Sequence, residues 1–395
     1  MEERGNQTLL KKDNADPYTN SVLSHDRILH MAFGLSSLAD FFRSEEDTPS
    51  LKDGVLGIDI GSSAIKIVKL KEVRGAPTLE TYGELQLGPY EGVDVGRTTH
   101  LTEQKTIEAL VDILREAGAT GKNATFAISY NSSFTTIIDV PTLDLEKIAS
   151  IIPIEARKYI PISLSKIALN WTILGVDEAE KTTKVALTAT YNDAVTRYNS
   201  IIQGSGLYSL GSEVEIASSV RATVDPKDDR VAVLDFGAST TRLYIVEKGV
   251  VTKTHSVLMS GFEITKALEV ALGVEFKDAE ELKRTVGLLG SANDPRVQKI
   301  ITQELEHGLR EIHTVMVRYE EADGIKIQKV ILSGSGGLLK GLSAYVSDMF
   351  SRPVHMAEPF SKIAYPVFLE DVLKESGPTF GVAIGVALHA FQNNG

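Results

Sequence analysis

The sequence predicts an α/β fold of two related lobes facing each other across a cleft, and three observations carry that prediction. Residues 54–70 read as an apolar strand ending at Asp59, a small-residue turn at Gly61-Ser62-Ser63, and a second β-branched run from Ile65. Residues 230–246 repeat the design with Asp235, Gly237, the small residues Ala238, Ser239 and Thr240, and a strand leaving the turn. A further apolar strand runs into Ser333-Gly334-Ser335-Gly336-Gly337. Two copies of one strand–turn–strand unit in a chain of 395 residues argue for duplicated halves, each able to bury its own core.

Each turn is suited to an anion. Gly61 lets the backbone bend with no Cβ in the way, Ser62 and Ser63 leave their N–H groups open, and successive open N–H groups form a concavity shaped for phosphate. Asp59 repels a phosphate unless a hard cation lies between them, a role that Mg²⁺ with its retained waters fills; Lys66 answers the remaining charge. Asp235 and the run Gly237, Ala238, Ser239 and Thr240 offer the same chemistry from the other half. Two such turns imply a nucleotide held between the lobes.

Residues 1–53 read as a mobile polar tail, an amphipathic helix at 22–43 and a linker through Glu45, Glu46, Asp47 and Pro49. The helix carries Ile28, Met31, Leu35, Leu38 and Phe42 on one face. Arg27 and Arg43 are offset by Asp26 and Asp40, which points that face at a protein surface, of the same chain, of a second copy in self-association or of an assembly partner, rather than at lipid. The first lobe, 54–229, opens with the hairpin and a third strand near 78–87. A helix at 103–117 follows, with Ile107, Leu110, Val111 and Leu114 inward. Gly121-Lys122-Asn123 is not a Walker loop, because Glu116 stands where a glycine is required and Asn123 where a hydroxyl is. Strands at 124–129 and 134–140 precede a helix capped by Asp144 and ended at Pro161, with Ile151, Ile154 and Tyr159 inward and Glu155, Arg157 and Lys158 in solvent. Strands at 167–174 and 184–191 flank an acidic turn, and a helix at 193–204 leads on to Glu215, at the start of the next helix. The second lobe, 230–380, holds the second hairpin, helices after Gly261 and around Glu280, and a strand at 328–333. Between them a long helix from Asp294-Pro295 to about Glu320 carries the stripe Val297, Ile301, Leu305, Leu309, Ile312 and Met316. The segment 381–395 is a small-residue helix that returns to the first lobe.

Composition narrows the function. A net charge of −12 with no lysine–arginine cluster argues against nucleic acid as the main partner. The absence of cysteine removes disulfides, Fe–S clusters and thiol chemistry. No run approaches the ~20 apolar residues that span a bilayer, so the expectation is a cytoplasmic chain that meets a membrane only through partners.

These motifs resemble the actin and sugar-kinase ATPase superfamily, whose phosphate loops match Asp59–Lys66 and Asp235–Thr241. Residues 331–338 resemble its adenosine loop, with Ser335 where glycine is more usual. Ala279-Glu280-Glu281-Leu282-Lys283-Arg284 resembles the helix that frames adenine and ribose in heat-shock chaperones of the superfamily, which implies roles for Glu280, Lys283 and Arg284 beside Gly334, Ser335 and Gly336. More narrowly, Asp59-Ile-Gly-Ser-Ser-Ala-Ile-Lys, Glu155-Ala-Arg-Lys-Tyr-Ile-Pro161 and Phe380-Gly-Val-Ala-Ile-Gly-Val-Ala-Leu388 resemble the PilM family, FtsA-like cytoplasmic assembly proteins of type IV pili, from about Gly54 to Gln392. The resemblance implies an actin-like ATPase fold with an inserted subdomain at about 88–175, ATP and Mg²⁺ held through Asp59 and Asp235, and Glu215 as the residue that orients water in a slow hydrolysis. It also implies a groove for the short cytoplasmic tail of a PilN-like inner-membrane protein, in pilus or type II secretion assembly. An FtsA-like division tether and a small-molecule kinase are the alternatives on the same fold. The former is expected to end in a membrane-seeking helix where this chain reads Gln392-Asn-Asn-Gly395.

Overall fold

The computed structural model describes residues 53–160, 162–290 and 295–392. The expected tail, the helix at 22–43, its linker, Pro161 and Asp294 lie outside them. Strand β1 (Val55–Ile60) is buried along its length, turns into β2 (Ala64–Val73), and β2 turns into β3 (Ala76–Gln86). After one helical turn at Gly88–Glu91, α1 (Glu103–Glu116) starts at Thr102, whose hydroxyl accepts the Lys105 N–H. Its buried face is Thr106, Ala109, Leu110 and Ile113; Val111 is exposed, and Ile107 and Leu114 flank the core. The face is thus rotated from the one expected, since small residues as well as branched ones can meet a sheet. Strand β4 (Asn123–Ile128) then enters the sheet beside β1, in parallel.

The chain leaves this sheet through β5 (Ser133–Val140), α2 (Ile148–Ala156), β6 (Ile167–Asp177) and β7 (Thr182–Tyr191), which form a separate three-stranded sheet of order β5-β7-β6 with α2 packed on it. The inserted unit therefore runs from Ser133 to Tyr191. The expected span of about 88–175 took in α1 and β4, which build the first lobe's core, and stopped short of β7. Asp144 does not cap α2. Its Oδ1 accepts the Glu146 N–H at 3.1 Å in a turn of its own, and the helix begins four residues later at Ile148. Ile154 and Tyr159 are exposed and Glu155 is buried, the reverse of the expected faces.

Helix α3 (Asn192–Gly204) and β8 (Tyr208–Val214) complete the first lobe, with Tyr198 stacked on Phe126 at 5.8 Å. Helix α4 (Glu215–Thr223) then leads to β9 (Arg230–Phe236), β10 (Thr241–Glu247) and β11 (Val250–Val257). Helices α5 (Gly261–Leu272), α6 (Phe276–Thr285) and α7 (Arg296–Asp323) follow, every residue of the expected α7 stripe being buried. Strand β12 (Val330–Ser333), helix α8 (Leu342–Phe350) and β13 (Val354–Met356) close the second sheet. The sheet orders are β3-β2-β1-β4-β8 and β11-β10-β9-β12-β13. Each is an antiparallel meander continued by two parallel strands, the duplicated lobes of the actin-like ATPase fold. Among the described residues no helix is long and apolar enough to cross a membrane.

After α9 (Glu370–Ser376), helix α10 (Gly381–Gln392) lies on β1, β2, β4 and α4. Its small residues permit that approach: Thr125 Oγ1 donates to the Val386 carbonyl at 3.0 Å, and a Cβ on Gly385 would fall on the Ser218 carbonyl. Gly385→Ala should therefore destabilise the chain by about 3 kcal/mol, read as a lower urea midpoint. Gly175→Ala, with no heavy atom within 4 Å of the new methyl, should shift stability by less than about 1 kcal/mol.

Candidate functional site

The two hairpins place matching charges at the carboxyl ends of β1 and β9, where open α/β sheets take their ligands. Asp59 stands opposite Lys66 in register, with Nζ 3.9 Å from Oδ2, and the turn closes by Gly61 N–H to the Ala64 carbonyl at 3.0 Å. Asp235 stands opposite Arg242, and Gly237 N–H reaches the Thr240 carbonyl at 3.1 Å. Tyr244 donates its hydroxyl to Asp235 at 3.2 Å. Burial pushes both aspartates above the usual carboxylate range; Lys66 opposes this at Asp59, and Arg242 opposes it at Asp235. Each lobe also feels the other, for Asp235 raises Asp59 further.

Glu215, the first residue of α4, accepts the Tyr130 N–H at 2.9 Å and pairs with Arg242 at 2.9 Å. Burial lifts its pKa to about 7, against the pull of Arg242 and the Tyr130 hydrogen bond. Arg242 also donates to Asn131 at 3.4 Å and lies over the Tyr130 ring at 5.5 Å. Sequence reasoning passed over Arg242, yet a signal was present: it follows Asp235 at the same interval as Lys66 follows Asp59.

The third loop packs directly on the second hairpin. Gly334 has φ +79°, and a Cβ there would stand 2.6 Å from Asp235 Oδ1 and from the Phe236 carbonyl. Gly336 lies against the Phe236 ring, and Ser335 opens the 3₁₀ turn Ser335–Leu338. On α6, the Glu280 carboxylate accepts from Lys283, Thr265 and Arg284, each at 2.6 Å. Burial pushes the Glu280 pKa up, but these donors outweigh it and hold it low. Lys283 also donates to the Gly261 carbonyl at 2.9 Å. Gly261 and Phe262 in turn give their N–H groups to the Gly237 and Ala238 carbonyls at 3.1 and 3.0 Å. Ser239 stands exposed at the tip of the turn.

A loop of the first lobe bridges to the second beside this cluster. Thr99 donates both its N–H, at 2.8 Å, and its hydroxyl, at 3.0 Å, to the Ser62 carbonyl, and Leu87 N–H reaches the Ser63 carbonyl at 2.8 Å. Two residues before Thr99, Arg97 pairs with Glu269 of α5 at 3.3 Å and covers the Phe276 ring of α6 at 3.9 Å. Gly96, at φ +92°, presses on the Glu280 carboxyl carbon, which lies 2.8 Å from where a Cβ would stand. Tyr130 and Thr254 link the lobes again through hydroxyls 3.0 Å apart.

The expected site residues therefore fall into connected groups around the two turns. Asp59 and Asp235 suit a hard cation that takes its remaining ligands from phosphate and water. Among the described residues no three acidic, histidine or cysteine side chains could hold a metal unaided.

Comparison with known proteins agrees with the fold. A family model described as type IV pilus assembly protein PilM matches residues 57–391. The chain is 21% identical over 383 residues to the cell division protein FtsA of Pseudomonas aeruginosa, covering 86% of this chain and 89% of that one. A solved PilM–PilN type IV pilus biogenesis complex is similar at a TM-score of 0.71 and 24% identity, over 85% of this chain and 98% of the matched one. The ethanolamine utilization protein EutJ of Carboxydothermus hydrogenoformans is similar at a TM-score of 0.51 and 15% identity, over 86% and 90%.

The raised Glu215 pKa has a thermodynamic consequence. The folded chain keeps this proton up to about pH 7 and the unfolded chain only to about 4.5, so stability falls as pH rises across that window. Relative to Glu215→Gln, the wild type should lose on the order of 3 kcal/mol between those pH values, measured by urea unfolding of both proteins at each pH.

Proposed function

The chain belongs to the PilM family of type IV pilus assembly proteins, and on that premise we propose that it is an ATP-binding, actin-like scaffold at the cytoplasmic face of the inner membrane. The observation that carries the nucleotide reading is the pair of matched hairpins, Asp59 with Lys66 and Asp235 with Arg242, closing on one cleft from two lobes. Ser62, Ser63, Gly237, Ala238, Ser239 and Thr240 would line the phosphates; Gly334, Ser335, Gly336, Glu280, Lys283 and Arg284 would frame the nucleoside. Asp59 and Asp235 would hold Mg²⁺, whose positive charge would let two carboxylates approach a polyanion. The reading favours binding and coupling over turnover, because Glu215 is already engaged by Arg242 and Tyr130. A ligand touching both lobes favours their closed arrangement, and that difference is what a scaffold can transmit.

The partner reading rests on the inserted subdomain. We propose that it receives the short cytoplasmic tail of a PilN-like membrane protein, and that contact with the membrane comes through this partner. The likeness to a PilM–PilN complex supports the reading. So do the side chains the subdomain leaves in solvent, Leu143, Leu145, Ile154 and Tyr159, the last two on or just after α2.

Calorimetry should detect ATP binding in the presence of Mg²⁺. A Cβ on Gly237 would stand 2.8 Å from the Thr240 carbonyl and one on Gly61 3.0 Å from the Ala64 carbonyl, so Gly61→Val and Gly237→Val should each weaken binding by about tenfold or more. Unchanged affinity in both variants would remove the nucleotide from this cleft. For the partner, the subdomain begins and ends on neighbouring strands, Ser133 pairing with Thr190, so a short Gly-Ser linker can replace it. Titration of a labelled tail peptide should show binding to the full chain and none to the linker form; equal binding by both would place the groove elsewhere.

A further inference from the structure

Arg242 is the residue of the cleft whose bonding is incomplete. Its side chain is 12% exposed, one terminal nitrogen meets Glu215 and the other Asn131, and the Tyr244 hydroxyl is near enough to act on the guanidinium, but its buried Nε–H has no aligned hydrogen-bond partner. Among buried side-chain polar atoms of the described residues, Ser219 Oγ alone shares that condition. A guanidinium donor shut away from water without an acceptor is unfavourable, and an anion brought to it would relieve the deficit. The position is also not arbitrary. Arg242 pairs in register with Asp235 as Lys66 pairs with Asp59, at the corresponding place in the duplicated unit. It extends from the strand that follows the second anion-binding turn.

We propose that Arg242 is a nucleotide-contacting residue that donates its free Nε–H, together with a terminal N–H, to a phosphate oxygen of the bound nucleotide. The forked guanidinium suits two donors on one phosphate, which an ammonium cannot offer in that fixed geometry. The proposal rests on the nucleotide reading above and adds to it a residue that holds Glu215 on one side and phosphate on the other. Arrival of phosphate makes Glu215 and the nucleotide competitors for one cation, so the Glu215–Arg242 bond weakens when the cleft fills. In the alternative, Arg242 serves only to neutralise Glu215.

The two differ in the double variant, which would recover wild-type ATP affinity if Arg242 served only to neutralise Glu215. Calorimetry on the full chain, with ATP and with adenosine at fixed Mg²⁺, decides between them. Arg242→Gln should weaken ATP by about tenfold or more and adenosine by less than about twofold. Glu215→Gln should leave ATP binding unchanged or tighter, since it removes a nearby carboxylate and frees the arginine. The double variant should bind ATP as weakly as Arg242→Gln alone. Arg242→Lys, which keeps the charge and a partner for Glu215 without the fork, should weaken ATP by roughly threefold and serves if Arg242→Gln does not fold. Four results overturn the assignment: equal loss for ATP and adenosine, no loss in any Arg242 variant, recovery of wild-type ATP affinity in the double variant, or a wild type that binds no ATP. Only the last also ends the nucleotide reading, and it is distinguished by appearing in the unsubstituted chain.

Discussion

A carboxylate at the end of a buried strand, faced across its hairpin by a cation, is the constraint on which the rest of this molecule depends. A buried charge without a partner is costly, so the register that sets Asp59 against Lys66 and Asp235 against Arg242 cannot slip without exposing that cost. A slip of one residue would also turn each strand's apolar side chains away from the core. The small turn residues follow from the same requirement. So do the glycines at Gly334 and Gly336, because the third loop lies on Asp235 and Phe236 with no room for a side chain. The cations lower the aspartates without fully reversing the effect of burial. Both carboxyls thus stay above their ordinary range, the kind of perturbation that clusters at functional sites.

The contacts that join the lobes grow out of these same turns. Ser62 is bonded to Thr99, whose loop presents Arg97 to Glu269 and Phe276; α5, which carries Glu269, begins at Gly261 on the second turn. Glu280 closes the circuit, bound to Thr265 of α5 and pressed by Gly96. The turns at Gly61 and Gly237 are thus connected to one another through protein. A displacement of either has a bonded route to the other that does not pass through a ligand.

Most of the fold was legible because it rests on repetition. The two hairpins, the long α7 stripe and the small-residue run of α10 are patterns that survive without knowledge of their neighbours. What could not be read depended on which element meets which. Strand β4 looks the same in sequence whether it joins β1 or β5, and only its pairing places it in the first lobe rather than the insertion. The faces of α2 misled for a similar reason: Glu155 is buried beside Lys158 while Ile154 faces water, an arrangement that follows no amphipathic rule. Arg242 is marked only by its interval from Asp235, since an arginine on the strand leaving a turn carries no turn chemistry of its own. The segment from Leu87 to Thr102 carried no motif at all, and its importance lies in the backbone bonds of Leu87 to Ser63 and of Thr99 to Ser62, which composition does not encode.

The path of the chain between the lobes has a mechanical consequence. It crosses once after α4, through residues 224–229, and returns once, between β13 and α10. The two crossings lie side by side: a Cβ on Gly381 would stand 3.3 Å from the Thr223 methyl, and Lys362 donates to the Val224 carbonyl at 3.1 Å. Two adjacent tethers confine relative motion to rotation about the line they share, as in a pair of scissors. The turns at Gly61 and Gly237 lie in the jaws, and Arg97 with Glu269 joins the blades from one side to the other. An angular change too small to disturb the packing at the pivot is magnified there into a linear one. A small rotation at the pivot thus becomes a change of shape at the far ends of the lobes.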